Sequence, residues 1–398
     1  MKFALDEDQQ QLADGARRFM REHYTADAWR AAARTAPHWR ESVWRDMGEL
    51  GWMALAVPES HGGLGLGASE RGVLMEEFGR GLLLEPYWST AVFGAELIRA
   101  CTAQDPEHGD AHDTPQGATP RRAPGATHDL LNRIAQGEIR LAVALHEPGA
   151  RYDWTRVTTR AVRSIDGGWR ITGRKVAVLD AAMADRILLL ADVDGEESPR
   201  VFCIDARMPG VRLRDFPTLD ERRCADIELD GVHARPDDLL ADANGIPAMQ
   251  QAIDHALVAL AAESVGAMEM LVETTIEYLK TRKQFGRPLA EFQVLRHKVA
   301  DMLMALEQTR SLTLLAAHHL GDADEARSRY AAAAKAQAGQ AGKLVGESAV
   351  QLHGGIGVSD ELPVGRWFKR LLTIDFLLGD AAFHLKRVAD LDSGLHRS

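Results

Sequence analysis

The sequence predicts an α+β fold that is mainly α. Three observations predict it: apolar residues recur at helical spacing through about the first 140 residues, short β-branched and alternating runs take over from about Ile139, and helical spacing returns over about the last 150. A chain of 398 residues accommodates two or three such units. The boundaries read as a helical segment at 1–138 with a loop insertion at 103–128, a mainly antiparallel β segment at 139–240, and a helical segment at 241–398.

Asp6 is placed to cap the first helix, whose apolar face carries Leu12, Ala16, Phe19 and Met20. Further helices begin near Trp39 and Ser69. Residues 103–128 break the pattern with Pro106, Pro115, Pro120 and Pro124 among Gly, Asp, His and Thr, the composition of an exposed loop. Strands are expected at Leu141 to Leu145, at Val157 to Val162 and, after the Asp166-Gly167-Gly168 turn, at Trp169 to Ile171. Ile187 to Leu190 and Val201 to Ile204 continue the set. The C-terminal segment opens with Ala262 to Met268 in a run that ends at Phe285, and an Ala-rich stretch follows from Tyr330 to Val350. Two long helices with broad apolar faces favour oligomerisation.

The formal charge is −11, with 47 basic and 58 acidic residues interspersed, so the concentrated basic face that a nucleic-acid partner requires is missing. The start, Met1-Lys-Phe-Ala-Leu-Asp6, lacks a cationic segment followed by an apolar run, and no run of about eighteen apolar residues occurs; the expectation is a soluble, cytoplasmic protein with no membrane partner. Cys101, Cys203 and Cys224 are widely spaced and odd in number, which suggests neither a disulfide framework nor structural zinc. Cys101, His108 and His112 match no tight ligand set, so no metal is expected. Gly63-Leu-Gly65-Leu-Gly67 follows a helical region and opens no βαβ unit, which makes it a tight loop rather than a dinucleotide fingerprint. His353-Gly354-Gly355 has no accompanying Gly-x-Ser-x-Gly elbow, which disfavours serine hydrolysis.

Two segments carry the functional reading. Tyr278-Leu-Lys-Thr-Arg282-Lys-Gln284-Phe285-Gly286 ends one helical run with a guanidinium, an amide and an aromatic ring; Gln351-Leu-His-Gly354-Gly355-Ile-Gly357 ends another with an amide and glycines that let a second molecule approach the backbone. Taken singly, Arg-x-x-Phe is usually a surface cation and a core ring, and Gly-Gly after a helix is usually a C-cap. Together they point to a dinucleotide cofactor held by helix ends.

The pair, in this order within a helical C-terminal third, resembles the FAD-binding segments of the acyl-CoA dehydrogenases. The resemblance covers nearly the whole chain, through Gly51-Trp52, Val57-Pro58-Glu59 to Gly65, Glu147-Pro148-Gly149, Ile171-Thr-Gly173-Arg-Lys175, Phe292-Gln293 and Leu295 to Met302. Within the family the likeness extends to the small subunit of pimeloyl-CoA dehydrogenases, through Ala150-Arg-Tyr-Asp153, Lys280 to Gly286 and Phe368-Lys-Arg-Leu371.

The resemblance implies three domains, the last a four-helix bundle, with FAD between the β domain and the C-terminal helices. It implies that Arg282, Gln284, Phe285, Gln293, Gln351, Gly354 and Gly355 hold the adenine and pyrophosphate end of FAD across a subunit boundary. An acyl-CoA substrate and an electron-transfer flavoprotein as acceptor follow by the same likeness. So does a catalytic glutamate, yet the family's usual position for it falls on Leu378 and its alternative on Ala256, followed by Leu257 where many members carry arginine. Asp380, with Asp375, is the substitute base to weigh, but Asp380 reads in the first place as the cap or first-turn acid of the helix that follows, and His255 as a structural or surface histidine. Ala177-Val178-Leu179 replaces the family's Trp-x-Ser or Trp-x-Thr, and Tyr152 a small serine; Arg151 is either a contact for a distal carboxylate or an ordinary surface arginine. The implied assembly is a tetramer: a heteromer in which this chain completes the cofactor site of a partner that carries the base, or a homomer that is a self-sufficient flavoenzyme with a relocated base; a third reading is a flavin-free, acyl-CoA-binding scaffold whose motifs only stabilise an oligomer interface.

Overall fold

A computed structural model describes residues 5–103, 125–240, 244–359 and 362–393, and in them the helix, β, helix order is observed. The helices are α1 (Glu7–His23), α2 (Ala26–Arg34), α3 (Glu41–Glu49), α4 (Ala68–Gly81), α5 (Ala95–Ala103) and α6 (Gly125–Ala135). Strands follow as β1 (Leu141–Ala144), β2 (Arg160–Arg163), β3 (Trp169–Leu179), β4 (Arg186–Val193), β5 (Arg200–Asp205), β6 (Val211–Pro217) and β7 (Arg223–Ala234). Then come α7 (Gly245–Thr281), the hairpin β8 (Lys283–Gln284) and β9 (Arg287–Pro288), α8 (Gln293–His318), α9 (Asp324–His353), α10 (Val364–Phe376) and α11 (Ala381–Asp392). Residues 103 and 125–128 of the expected insertion are helical, as parts of α5 and α6; the rest of it, with His108 and His112, lies outside the described residues.

The chain folds as two compact units that do not follow the sequence order. One comprises Met1–Ala36, Gly67–Leu84 and Asp254–Ser398, so α1, α2 and α4 join the C-terminal helices; the other comprises Pro37–Leu66 and Glu85–Ile253. The second unit is built on a seven-stranded sheet ordered β1-β4-β2-β3-β7-β6, with β5 on β4. Only the β1–β4 and β2–β4 pairs are parallel. β3 alternates inward Trp169 and Ile171 with outward Arg170 and Thr172, and its inner face joins Ile187, Leu189, Phe202 and Ile227 in the core. The expected strand at Val157 begins only at Arg160, because the backbone of Thr158 and Thr159 turns instead to Glu147.

In the first unit, Asp6 caps α1 through a reciprocal bond with Gln9, and Ala13, Ala16, Phe19 and Met20 form its buried face. α7 is long and apolar enough to cross a membrane by length and composition, but 89% of its most apolar window is buried inside the protein, as in a core helix. Close approach to α7 depends on absent side chains. A Cβ on Gly79 of α4 would lie 1.9 Å from the Glu263 carbonyl oxygen, and one on Gly266 of α7 would lie 1.8 Å from that of Glu76. Buried charges then lock neighbours to α7. Arg370 of α10 grips Glu263 through two bonds of 2.7 Å, and Asp254 accepts from Arg327 (3.1 Å) and Ser328 (2.7 Å) of α9.

The α4–α7 crossing makes Gly266→Ala costly, since the added methyl forces the two backbones apart. The variant should lose about 1–3 kcal/mol in urea unfolding, with an unchanged slope; an unchanged midpoint would show that the helices do not approach this closely.

Candidate functional site

α7 ends at Thr281, and the chain reverses at once through the two-residue loop Phe285-Gly286 between β8 and β9. Both loop residues are left-handed, with φ of +51° and +80°, as a type I′ hairpin turn requires. Glycine adopts that conformation freely, whereas phenylalanine is strained in it. The strained ring meets Phe292 edge-on at 6.1 Å between centroids and remains 89% exposed. A large ring held at a cost and given little cover by its own chain is placed to meet something outside it. Around it, Arg282, Gln284 and Gln293 are exposed, and among the described residues none of their side chains has a partner.

The second segment ends α9. Gln351 is exposed, Gly354 takes φ +63°, and a Cβ on Gly354 or Gly355 would meet nothing within 4 Å, so their backbone is open to a visitor. The two helix ends meet within one chain: Tyr278, one turn before Arg282, donates its hydroxyl hydrogen to the His353 carbonyl (3.3 Å), and the two rings stack at 4.5 Å. Sequence reasoning missed this contact, although an aromatic ring at the matching place in each motif was the available signal. The Tyr278–His353 contact thus joins the ends of α7 and α9, and the segments that flank it carry one guanidinium, three uncommitted amides, an exposed ring and open glycine backbone, a donor set that fits the phosphates and ring system of a dinucleotide.

The expected positions of the base hold none. Ala256 and Leu257 are fully buried in α7. Leu378 sits in the α10–α11 connection at φ +59°, followed by Gly379 at +115°. This loop is held from every side. Buried Lys335 of α9 donates to the carbonyls of Asp375 and Gly379 (2.7 Å each), Asp375 accepts from the Ala381 N–H (3.0 Å), and buried His384 contacts the Leu378 carbonyl through Nε2 (3.1 Å). Burial pushes Lys335 down to about 8 despite the Asp375 and Asp380 charges, and His384 down to about 3, so the imidazole is neutral and donates from Nε2. A lone lysine in an alanine-rich face was the sequence signal for this clamp. Asp380 caps α11, accepting from the Phe383 N–H at 2.8 Å, and Asp375 is spent inside the loop.

In the β unit, Glu147 is buried and met by Lys175 Nζ (2.6 Å), by the N–H groups of Thr158 (2.7 Å) and Thr159 (3.1 Å), and by both hydroxyls. Burial alone would raise its pKa, but the Lys175 charge and these donors outweigh it and hold Glu147 at about 2. The pair ties the Glu147-Pro148-Gly149 turn to β3. Tyr152 is half-buried, edge-on to His146 at 6.5 Å, while Arg151 is exposed. Ala177 lies at φ +51° in an irregular stretch of the β3–β7 ladder. His255 of α7 is buried and meets Arg71 NH2 through Nδ1 (2.7 Å), which makes it structural rather than a surface group.

Family models match three consecutive stretches: the N-terminal domain of acyl-CoA dehydrogenase at residues 6–104, its middle domain at 142–232 and its C-terminal domain at 243–391. Isovaleryl-CoA dehydrogenase, mitochondrial, of Oryza sativa subsp. japonica is 28% identical over 371 residues, covering 91% of this chain and 85% of its own length. A chain of the Tcur3481-Tcur3483 steroid ACAD is 32% identical, with a TM-score of 0.84 and 98% and 99% of the two chains covered. A chain of the ChsE4-ChsE5 complex from Mycobacterium tuberculosis shares the fold at 24% identity, with a TM-score of 0.84 and the same coverage.

Because Glu147 titrates below its ordinary value of 4.5, the stability it contributes is complete above that pH and is lost as pH falls toward about 2. Lys175→Met leaves the carboxylate buried without its cation. Urea unfolding at pH 7 should show a loss of about 3–5 kcal/mol; a loss below about 1 kcal/mol would mean that water reaches the pair.

Proposed function

The chain belongs to the acyl-CoA dehydrogenase family, and from that premise we propose that it is the subunit without a catalytic base in a heteromeric, FAD-dependent acyl-CoA dehydrogenase. The observation that carries this reading is an asymmetry. The donors suited to the adenine and pyrophosphate end of a dinucleotide are present and idle, whereas the positions from which a family member withdraws a proton hold Leu378 and Ala256. The likeness at 32% identity to the Tcur3481-Tcur3483 steroid ACAD, a pair by name, supports it.

α,β-Dehydrogenation takes a proton from the carbon next to the thioester carbonyl and a hydride from the following carbon. Bound FAD supplies the hydride acceptor. This chain's residues would hold that group: Arg282 would offer its charge to the pyrophosphate, Gln284, Gln293 and Gln351 would offer amide hydrogens, Phe285 an aromatic face, and Gly354 and Gly355 an open backbone for the phosphates. Neither leucine nor alanine accepts a proton, and the carboxylates of Asp375 and Asp380 serve the α10–α11 connection. The base therefore comes from the partner subunit. An electron-transfer flavoprotein takes the electrons onward.

Two acyl groups follow from the two likenesses, a dicarboxylic chain such as pimeloyl and a steroid acyl group, and turnover of one over the other by the coexpressed complex decides between them. The chain alone should turn over neither, while coexpression with a base-carrying subunit should give a yellow, active complex. Full flavin loading and turnover by the isolated chain would defeat the proposal.

Within the complex, Arg282→Ala removes a charge-assisted contact of about 1.5–3 kcal/mol and should weaken FAD retention roughly 10- to 100-fold, read by flavin absorbance after dialysis. Asp380→Asn, which still caps α11, should leave turnover unchanged. A more than tenfold loss with unchanged melting temperature would restore the reading in which Asp380 is a relocated base.

A further inference from the structure

The hairpin between α7 and α8 carries a second guanidinium that the cofactor reading does not use. Its register pairs Gln284 with Arg287 and Lys283 with Pro288, and the Leu289 N–H continues the ladder to the Arg282 carbonyl (2.8 Å). Side chains alternate between the two faces of a strand, and residues directly opposite each other share a face. Arg282 and Gln284 therefore lie on one face together with Arg287, and Lys283 lies on the other.

Arg287 is exposed, yet it is held. Its guanidinium carbon sits 4.1 Å from the centroid of the Phe292 ring, the same ring that Phe285 meets edge-on. Gln293 is the next residue in the chain, so this ring stands among the uncommitted groups of the hairpin. A cation–π contact fixes a cation without neutralising it. Among the described residues no carboxylate pairs with Arg287 or Arg282, although the chain carries a formal charge of −11. Two guanidiniums thus share one hairpin face, and neither is spent within the chain.

We propose that Arg287 is a second phosphate-binding residue of the cofactor site, placed in advance by Phe292, so that the hairpin presents a pair of guanidiniums to a diphosphate. The proposal rests on the cofactor reading above and names the feature of the ligand that the hairpin selects, the doubly charged link of a dinucleotide. Arg282 alone balances one of its two charges; Arg287 balances the other through a planar fork suited to phosphate oxygens. Because Phe292 already orders the side chain, less rotamer freedom is lost on binding.

The test uses the coexpressed complex, stripped of flavin and titrated with FAD in 0.1 M KCl. ADP and AMP serve as competing probes that share the adenosine and differ in the second phosphate. Arg287→Gln should weaken FAD about tenfold, and Arg287→Lys, which keeps the charge, should lose less. The loss should shrink in 1 M KCl, where exposed charges are screened. Arg287→Gln should also abolish the preference for ADP over AMP. Lys283→Gln removes the same charge from the opposite face and should leave FAD affinity unchanged. An undiminished affinity in Arg287→Gln, an equal loss in Lys283→Gln, or a fall in ADP and AMP affinity by the same factor would each overturn the proposal. An unsubstituted complex that takes up no FAD would instead defeat the cofactor reading, and this proposal with it.

Discussion

Helix α7 is buried for most of its length, and its buried polar side chains are met either by its own preceding turn, as Ser264 and Thr275 are, or by another helix. Asp254 is met by α9, Glu263 by α10, and Tyr278 by the last carbonyl of α9. Buried charges left unmet cost several kcal/mol each, so these contacts set register as well as adhesion. Of these, the Tyr278 contact reaches the last residue of α9, where the glycine turn follows. The close α4–α7 crossing adds a constraint of a different kind, because backbone meets backbone and neither side chain nor water can be inserted.

From this frame follows a division of labour. At the shared end of α7 and α9 the chain leaves its donors unspent and holds an aromatic ring in a strained turn, an arrangement that costs the monomer and gains it nothing. At the α10–α11 connection the opposite holds. A buried ammonium, a neutral imidazole and two carboxylates are all consumed in fixing a loop whose centre is a leucine. Idle polar groups face outward where a cofactor and a second subunit would come, and satisfied ones lock the position where proton transfer would otherwise occur.

Much of the fold was legible because its signals are local. Helix periodicity, the Asp6 cap and the Asp166-Gly167-Gly168 turn depend on neighbours a few residues apart. Val157 misled because Thr158 and Thr159 look like strand residues, while their backbone is drawn to Glu147, which lies 11 and 12 residues earlier in the chain. In the candidate site the sequence singled out residues whose chemistry is unusual for their place, as with Arg282, Gln284 and Gly354. It was opaque where function rests on partners distant in sequence: Lys335 acts on residues 40 and 44 positions away, and nothing near it in the chain announces them.

The sequence by itself determined the helix, β, helix order, the two motifs at helix ends, and the absence of a proton acceptor at 378 and 256, since each is a property of residue type and short-range spacing. Only the tertiary structure decided that N-terminal helices α1, α2 and α4 fold with the C-terminal ones, that Tyr278 joins the two motifs within one chain, and that Asp380 is a cap. The physical reason is that burial and electrostatic environment are set by groups brought together across long loops, and a carboxylate reads the same in sequence whether it caps a helix, as Asp380 does, or pairs with a buried cation, as Glu147 and Glu263 do.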